Sequence, residues 1–418
     1  MADASMPEVL TVETGAIAAG GGCVARAPDG RVMFVRHALP GETVIAAITS
    51  ATTSFLRADA TEVLTPSPDR VTPPCPHAGP GRCGGCDFQH ISMTRQRQLK
   101  ADLIVEQLRR VAGMERDVTV EPVDGDHDGL QWRSRIRLAI DDQGFVAFRR
   151  HRSHQLETVE SCPISTPAVM ATRVFESKWL GVDQLEVVAA ADGTAIISAG
   201  TRRTVKPTFP EVAAGLVVNG RVQRRPGSVL ADVSGHSFRV SAGVFWQVHP
   251  GAAATLAKAV ISGLEVRPGD NVVDLYAGAG LFSVVLADQV GPTGTVLAVE
   301  RDRKACDDAT HNGRAFPHLK VLRASVSPKS VGQFIGSPDL LVLDPAREGA
   351  GTAVMAAIEA HAPTLRRIAY ISCDPASFSR DIRVLLNANW RITSLRAFDI
   401  FPMTEHVEMV AIVEPPPS

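Results

Sequence analysis

From residue 271 onward, short apolar runs alternate with longer segments whose apolar residues recur every three or four positions. The runs NVVDLYA, TVLAVE, LKVLRAS, LLVLD, RRIAYIS, RITSLRAF and VEMVAIVE have the length of strands. Their near-continuous apolar character is that of strands covered on both faces, and the segments between most of them read as amphipathic helices. Such alternation predicts a doubly wound α/β sheet of Rossmann-like type. Upstream the pattern shifts. Residues 7–65 carry short β-rich runs punctuated by Gly20, Gly21, Gly22, Asp29, Gly30, Pro40 and Gly41, the rhythm of a small β-barrel. TPSPDRVTPP holds four prolines in ten residues and predicts an extended linker that ends the barrel near residue 67. The expected organisation is a barrel over 1–67, a mixed α+β region over 68–240 and the α/β domain over 241–418.

Composition narrows the class. At 418 residues the chain exceeds the ~100–200 residues of one domain, so two or three units are expected. Hydrophobic residues make up 45% and charged residues 21%, ordinary for a globular chain. No apolar run approaches the ~18 residues that a membrane span requires, so no membrane partner is expected. The start, MADASMPEVL, has neither the basic nor the apolar part of a secretory signal. A cytoplasmic chain with reduced cysteines follows as an expectation. A net charge of −2 means that any polyanionic partner has to be held by local basic patches.

The α/β region places chemistry at one edge. VVDLYAGAGLFS is a strand ending in Asp274, then Gly278 and Gly280, then a helix; such a loop lies at the carboxyl end of a central strand, where these sheets bind nucleotides. Glu300 ends the next strand about twenty residues on, where an acid commonly holds ribose hydroxyls. With no third glycine of the dinucleotide fingerprint, S-adenosylmethionine is favoured over NAD. Asp344 and Pro345 end another apolar strand, and Asp344 could equally cap the helix behind it. In YISCDPASFSRD, Cys373 ends a strand just ahead of a helix, whose N-terminus favours the nucleophilic thiolate; otherwise a lone cysteine is a small buried hydrophobe. Glu408 opens the final apolar strand two residues after His406.

The middle region adds two further signals. Cys75, Cys83 and Cys86, joined by Cys162, form a set of four thiols that could hold zinc or an iron–sulfur cluster; the spacing does not separate the two. Arg133, Arg135, Arg137, Arg149, Arg150 and Arg152 are interleaved with Trp132, Phe145 and Phe148, against Asp141 and Asp142. A second basic stretch has Arg202, Arg203, Lys206, Arg221, Arg224 and Arg225 against Glu211. Both suit RNA backbone and base contacts, and both could be solvated strand faces. Cys23 and Cys306 read as structural.

DLYAGAG, LDPAREG, ISCDPASFSRD and FPMTEHVE, in that order, resemble the S-adenosylmethionine-dependent uracil-C5 RNA methyltransferases, and GGCVARAPDGRVMFVRHALPGE is similar to their RNA-binding TRAM barrel. The resemblance implies a class I methyltransferase domain in which Cys373 adds to uracil C6 and Glu408 removes the C5 proton. It implies cofactor positions at Gln247, Tyr276, Leu281, Glu300, Ser325 and Asp344. It also implies a [4Fe–4S] cluster on Cys75, Cys83, Cys86 and Cys162, with large-subunit (23S) rRNA ahead of tRNA as substrate. No protein partner is implied, and a monomer is expected. Two departures bear on the branch: that rRNA branch often has Asn where Leu281 stands, and DPP is commoner than the DPA at Asp344. A cytosine-C5 enzyme would typically carry a second cysteine after Pro345, where Ala346 stands. A non-catalytic RNA-binding scaffold is disfavoured by the intact Cys373 and Glu408.

Overall fold

Alternate burial shapes the N-terminal unit: in the strand Val9–Glu13, Leu10 and Val12 face inward while their neighbours face solvent. The computed structural model describes residues 8–202, 205–361 and 364–416. Within them Val9–Glu13, Thr43–Ala51, Phe55–Thr65, Val32–Arg36, Gly22–Arg26 and Ile17–Ala18 pair in that order into one curled, barrel-like sheet. Met33, Val35, Val44, Ala46, Leu56 and Ala58 fill it. The proline-rich stretch that follows is clasped back onto the barrel. Arg70 donates to both carboxylate oxygens of buried Glu42 (2.7 and 2.6 Å) and to the His37 carbonyl (2.8 Å).

The middle region, whose pattern is least regular, contains a seven-stranded sheet. Its order is Leu156–Thr158, Val146–Arg149, Arg135–Ile140, Val182–Ala189, Ala195–Thr201, Gly215–Val218, Arg221–Arg224. Ile136, Leu138, Trp179, Leu185, Val187 and Ile197 form its core. A hairpin, Ser228–Val233 with His236–Ser241, then leads to the catalytic domain. Arg239 of this hairpin pairs with buried Asp308 at 2.8 Å, on the helix Arg303–Asn312. The expected boundary at residue 240 therefore falls inside a strand that is tied to the α/β domain.

All seven strands expected in the α/β domain form. The sheet runs Leu319–Arg323, Thr295–Glu300, Asn271–Leu275, Leu340–Leu343, Arg367–Ser372, Glu408–Glu414, Arg391–Phe398 and, at the far edge, Val120–Glu121. Glu408–Glu414 is antiparallel to both neighbours, which makes it the one reversed strand of the sheet among the described residues. Helices on both faces bury two apolar clusters, one around Leu275, Leu343 and Tyr370 and the other around Val272, Val342 and Ile371. The eighth strand comes from the middle region and spans only two residues, too short to carry a periodic signal.

The helix Met93–Gln107 binds this sheet to the cysteine-bearing segment. Its Lys100 is fully buried, 2.5 Å from Asp399, and also donates to the Phe401 carbonyl (3.0 Å). Gln96, also buried, donates to the carbonyls of Phe88 and Ile91 and accepts from the Met403 N–H at 2.9 Å. Lys100→Met would leave Asp399 buried without a counter-charge, an uncompensated burial that costs about 3–5 kcal/mol. The expected outcome is a lower urea midpoint, with most of the loss recovered when Asp399→Leu is added.

Candidate active site

The strand order brings the candidate residues to one edge. Asp274, Glu300, Asp344 and Cys373 each lie at or just beyond the carboxyl end of a parallel strand, and Glu408 opens the antiparallel one. Ser372 pairs with Met409 and Ile371 with Val410, so Cys373, just past the end of its strand, and Glu408, at the start of the other, lie at the same end of the pair. Asp344 follows the neighbouring strand, its N–H reaching the Leu275 carbonyl at 3.4 Å.

The loop after Asp344 is fixed from behind. Asp381 is buried on the helix Pro375–Asn387 and accepts from the Tyr370 hydroxyl (2.8 Å), the Gly351 N–H (3.0 Å) and Arg380 Nε (2.9 Å). Gly349 has φ +79°, and a Cβ there would lie 2.4 Å from an Asp381 oxygen, so only glycine lets the loop close this tightly. Asp374 caps the helix by accepting from the Ser377 N–H at 2.7 Å.

The edge concentrates acid in a dry place. Asp274 is pushed up to about 7, by burial first and by Asp344 and Glu300 in addition, against a hydrogen bond from Ser283. Burial also raises Asp344, and it raises Glu408 well above the usual carboxyl range with Asp344 adding to the rise. The Cys373 thiol is pushed up to about 12 by burial, then by Glu408 and Asp344; Arg347 pulls the other way. The helix behind Cys373 is present as expected, yet the resting thiol is held protonated, because its N-terminus is capped by Asp374 and the surroundings are apolar and acidic. His406 is driven down to about 4 by burial and nearby Arg347, so it is neutral.

The remaining candidates surround the glycine loop. Glu300 accepts from the Gly278 N–H (3.0 Å) and from the N–H groups of Arg301 (2.6 Å) and Asp302 (2.7 Å), which fixes loop and carboxylate together. Tyr276 sits in that loop at φ +65°. Ser325 follows the strand Leu319–Arg323, and its carbonyl accepts from the Ser330 hydroxyl at 2.8 Å. Gln247 is buried in the segment between the hairpin and the helix Ala252–Leu264. Leu281 packs its side chain into the apolar core, so a cofactor contact there would come from its backbone. Oδ1 of Asp274 is buried with no hydrogen-bond partner. A glycine loop, an unpartnered carboxylate oxygen and an excess of buried acid fit a cationic adenosine ligand such as S-adenosylmethionine.

Three residues beside Cys373 were not singled out by their chemistry in the sequence: Arg347, Glu405 and His406 line one cleft with Cys373 and Asp374. Arg347 lay within reach, inside the LDPAREG motif. Glu405 likewise lay inside the FPMTEHVE motif, but its contact with Gly20, from the opposite end of the chain, leaves no local signal.

In the middle region Cys75, Cys83, Cys86 and Cys162 line a single cavity of about 480 Å³. Burial raises Cys83 up to about 11 and lifts Cys86 and Cys162 as well, with repulsion among the thiols adding. Among the described residues no group of three or more His, Cys, Asp or Glu is arranged as a ready site for a metal ion. The thiols ring a cavity instead of meeting at one point. The basic stretch beside them is partly neutralised: Arg135 and Arg137 share Glu186 (3.3 and 2.9 Å), and Arg150 reaches Glu157 at 3.1 Å. Trp132 is 1% exposed and belongs to a core with Ile164 and Met403, so it does not offer a face for base stacking. In the second stretch Arg202 pairs with Asp142 at 2.6 Å, and the strand Arg221–Arg224 is fully exposed at a sheet edge; Arg203 lies outside the described residues. No helix among the described residues is long and apolar enough to cross a membrane.

Fold and edge together define a class I S-adenosylmethionine-dependent methyltransferase with an N-terminal barrel. Residues 336–414 match the family model of tRNA (uracil-5-)-methyltransferases, and residues 8–61 match that of the TRAM domain. An RNA methyltransferase of Streptomyces avermitilis is 43% identical over 430 residues, covering 98% of this chain and 99% of that one. The 23S rRNA (uracil(1939)-C(5))-methyltransferase of Alkalilimnicola ehrlichii is 31% identical, covering 92% of each chain. The Pyrococcus abyssi tRNA (uracil-54, C5)-methyltransferase, solved with S-adenosyl-L-homocysteine, shares the fold with a TM-score of 0.73 at 20% identity, covering 97% of this chain and 100% of that one. The chain belongs to the RNA uracil-C5 methyltransferase family.

The raised thiol has a direct signature. In the RNA-free protein, iodoacetamide labelling of Cys373 should rise about tenfold per pH unit and still be rising at pH ~10, because the reactive thiolate is scarce below the raised pKa. Glu408→Gln removes one acidic neighbour, lowers that pKa and should speed labelling at pH ~8–9. Peptide mapping by mass spectrometry separates Cys373 from the other cysteines; a plateau below pH ~9 would contradict the buried, acid-flanked setting.

Proposed function

We propose that this enzyme converts a uridine of 23S rRNA to 5-methyluridine, with Cys373 as nucleophile and Glu408 as base. The observation that carries the proposal is the pairing of Ser372 with Met409, whose next residues, Cys373 and Glu408, lie at the same end of the strand pair, with Glu408 and Asp344 close enough to act on the buried thiol. Uracil C5 is a poor nucleophile until a thiolate adds at C6 and leaves enolate character on the ring. As the C6–S bond forms, the thiol proton of Cys373 is released to water and the C5=C6 π pair moves onto C5 and O4 of the ring. S-adenosylmethionine, bound by the glycine loop, Glu300 and the acids, supplies a sulfonium methyl to C5. Glu408 then takes the C5 proton, the C5=C6 bond re-forms and Cys373 leaves as thiolate. Its dry position keeps Glu408 basic enough for that task. Asp344 faces both the uracil and the cofactor, and Gln247, Tyr276 and Ser325 complete the cofactor side.

The rRNA assignment is supported by relatives about as long as this chain that bear that name. tRNA is the second reading, favoured by the name of the matching family model. Mapping 5-methyluridine in rRNA and tRNA from cells with and without the gene decides between them. Loss confined to tRNA would overturn the first choice.

The two roles fail at different stages. Cys373→Ala should bind RNA and form no covalent adduct, while Glu408→Gln should add its thiolate, stall before elimination and accumulate a denaturation-resistant protein–RNA band. The parent enzyme should give the same band with 5-fluorouridine RNA. Normal turnover by Glu408→Gln, or cross-linking by Cys373→Ala, would refute the assignment.

The four cysteines are proposed to hold a [4Fe–4S] cluster. Four soft thiols lining one cavity suit a thiolate-held cluster, and such a group would tie residues 75–86 to residue 162. Protein purified without oxygen should be brown, absorb broadly near ~400 nm and contain about four irons per chain. Stoichiometric zinc would displace this assignment. Cys86→Ser should lower the thermal midpoint and weaken RNA binding more than methyl transfer.

A further inference from the structure

The cleft beside Cys373 has a wall that the catalytic domain does not supply. Ala19 and Gly20 of the barrel form part of its lining, facing Arg347, Cys373, Glu405 and His406. The Gly20 N–H donates to the Glu405 carboxylate. Gly21 follows at φ +73°, and a Cβ there would lie 3.1 Å from Asp87 Cβ and 3.5 Å from Glu405 Cβ. Asp87 in turn pairs with Arg36 of the barrel at 3.1 Å and accepts from the backbone of Glu405. Barrel, cysteine-bearing segment and catalytic loop thus converge on one side chain.

Glu405 is well placed to pass that contact on. It lies three residues before Glu408, and its carboxylate is 3.7 Å from Arg347, which is itself 3.7 Å from Asp374, the residue after Cys373. On its other side the same loop is held by the helix Met93–Gln107 through Gln96 and Lys100. With that side gripped by Gln96 and Lys100 and the Gly20 N–H bound to Glu405, the loop is held from both sides.

We propose that Glu405 is a positioning residue latched by the barrel turn at Gly20 and Gly21, so that the barrel sets the geometry of the methyl-transfer site as well as offering an RNA-binding surface. The inference rests on the reading of Cys373 as nucleophile and Glu408 as base. A barrel that only tethered RNA would influence binding; one that holds Glu405 and Arg347 influences the chemical step after RNA is bound.

The test compares single-turnover methylation at saturating RNA with the RNA Kd, for Gly21→Ala, Glu405→Ala, Glu405→Gln and Gly30→Ala. Gly30 lies in the same barrel with φ +86° and nothing within 4 Å of an added Cβ, so it carries the same backbone penalty without the contact. Gly21→Ala and Glu405→Ala should slow the single-turnover rate about tenfold to a hundredfold, the scale of small misplacements of reacting groups, with the Kd within about twofold. Glu405→Gln keeps an acceptor for the Gly20 N–H and should recover most of the Glu405→Ala loss. The Gly21→Ala, Glu405→Ala double variant should be no slower than the slower single one, since both break one contact. The proposal is overturned if Gly21→Ala behaves like Gly30→Ala, or if it raises the Kd while the saturated rate stays at the parent value. Multiplying losses in the double variant would overturn it too. If Gly21→Ala proves unfolded by circular dichroism, the Glu405→Ala and Glu405→Gln pair decides: equal rates for the two, whether both slow or both normal, reject the latch. Failure of the underlying reading looks different: Cys373→Ala would then still methylate RNA.

Discussion

The ion pair of Lys100 with Asp399 holds the molecule to one arrangement. A lysine with no exposure is tolerated only where an acid meets it and its remaining protons find acceptors. That requirement joins a helix of the cysteine-bearing segment to the irregular stretch 399–407, which enters the last strand at Glu408. The stretch has little regular structure of its own, so its polar backbone groups are satisfied from outside: Lys100 takes the Phe401 carbonyl, Gln96 the Met403 N–H, and the Phe88 N–H the Met403 carbonyl. The placement of Glu408 is therefore a property of the whole chain and not of the α/β domain alone.

The carboxyl edge of the α/β sheet sets its acids against one another. Asp274, Asp344 and Glu408 lie close together in a setting too dry for three charges, and burial shifts each toward the protonated form. Cys373 shares the same environment and keeps its proton. A free thiolate is open to oxidation and alkylation, and the protonated thiol is far less so. Positive charge brought into such an edge relieves the repulsion among the acids and favours their ionised forms.

Much of this was legible in the sequence. The seven strands of the α/β domain were readable because each is a short apolar run covered on both faces, and the strand ends put Asp274, Asp344 and Cys373 at one carboxyl edge; Glu408 joins them because the last strand is antiparallel, which the apolar pattern does not encode. The middle sheet was obscured because its strands carry charges on the outward face: Arg135 and Arg137 alternate with buried Ile136 and Leu138, and their partner Glu186 lies on a different strand. Trp132 reads locally as part of an arginine-rich RNA surface, whereas the tertiary core claims it. Helix position suggested a thiolate at Cys373, but burial and two acids outweigh the helix end. The Gly20 and Glu405 contact spans almost the entire chain, and no local pattern encodes it.

The two-residue strand Val120–Glu121 has a consequence for synthesis. It covers the outer edge of the catalytic sheet through its pairing with Ala397 and Phe398, reinforced by Arg396 gripping Glu121 at 2.9 and 2.6 Å. Translation delivers the covering segment first and the strand it covers nearly last. While the ribosome works through the intervening chain, residues 120–121 have no partner. If the catalytic domain were cut away from what precedes it, the strand Arg391–Phe398 would present open backbone groups to any other strand, the usual seed of aggregation. The chain order thus has the segment that caps the end of this edge made before the strand that it caps.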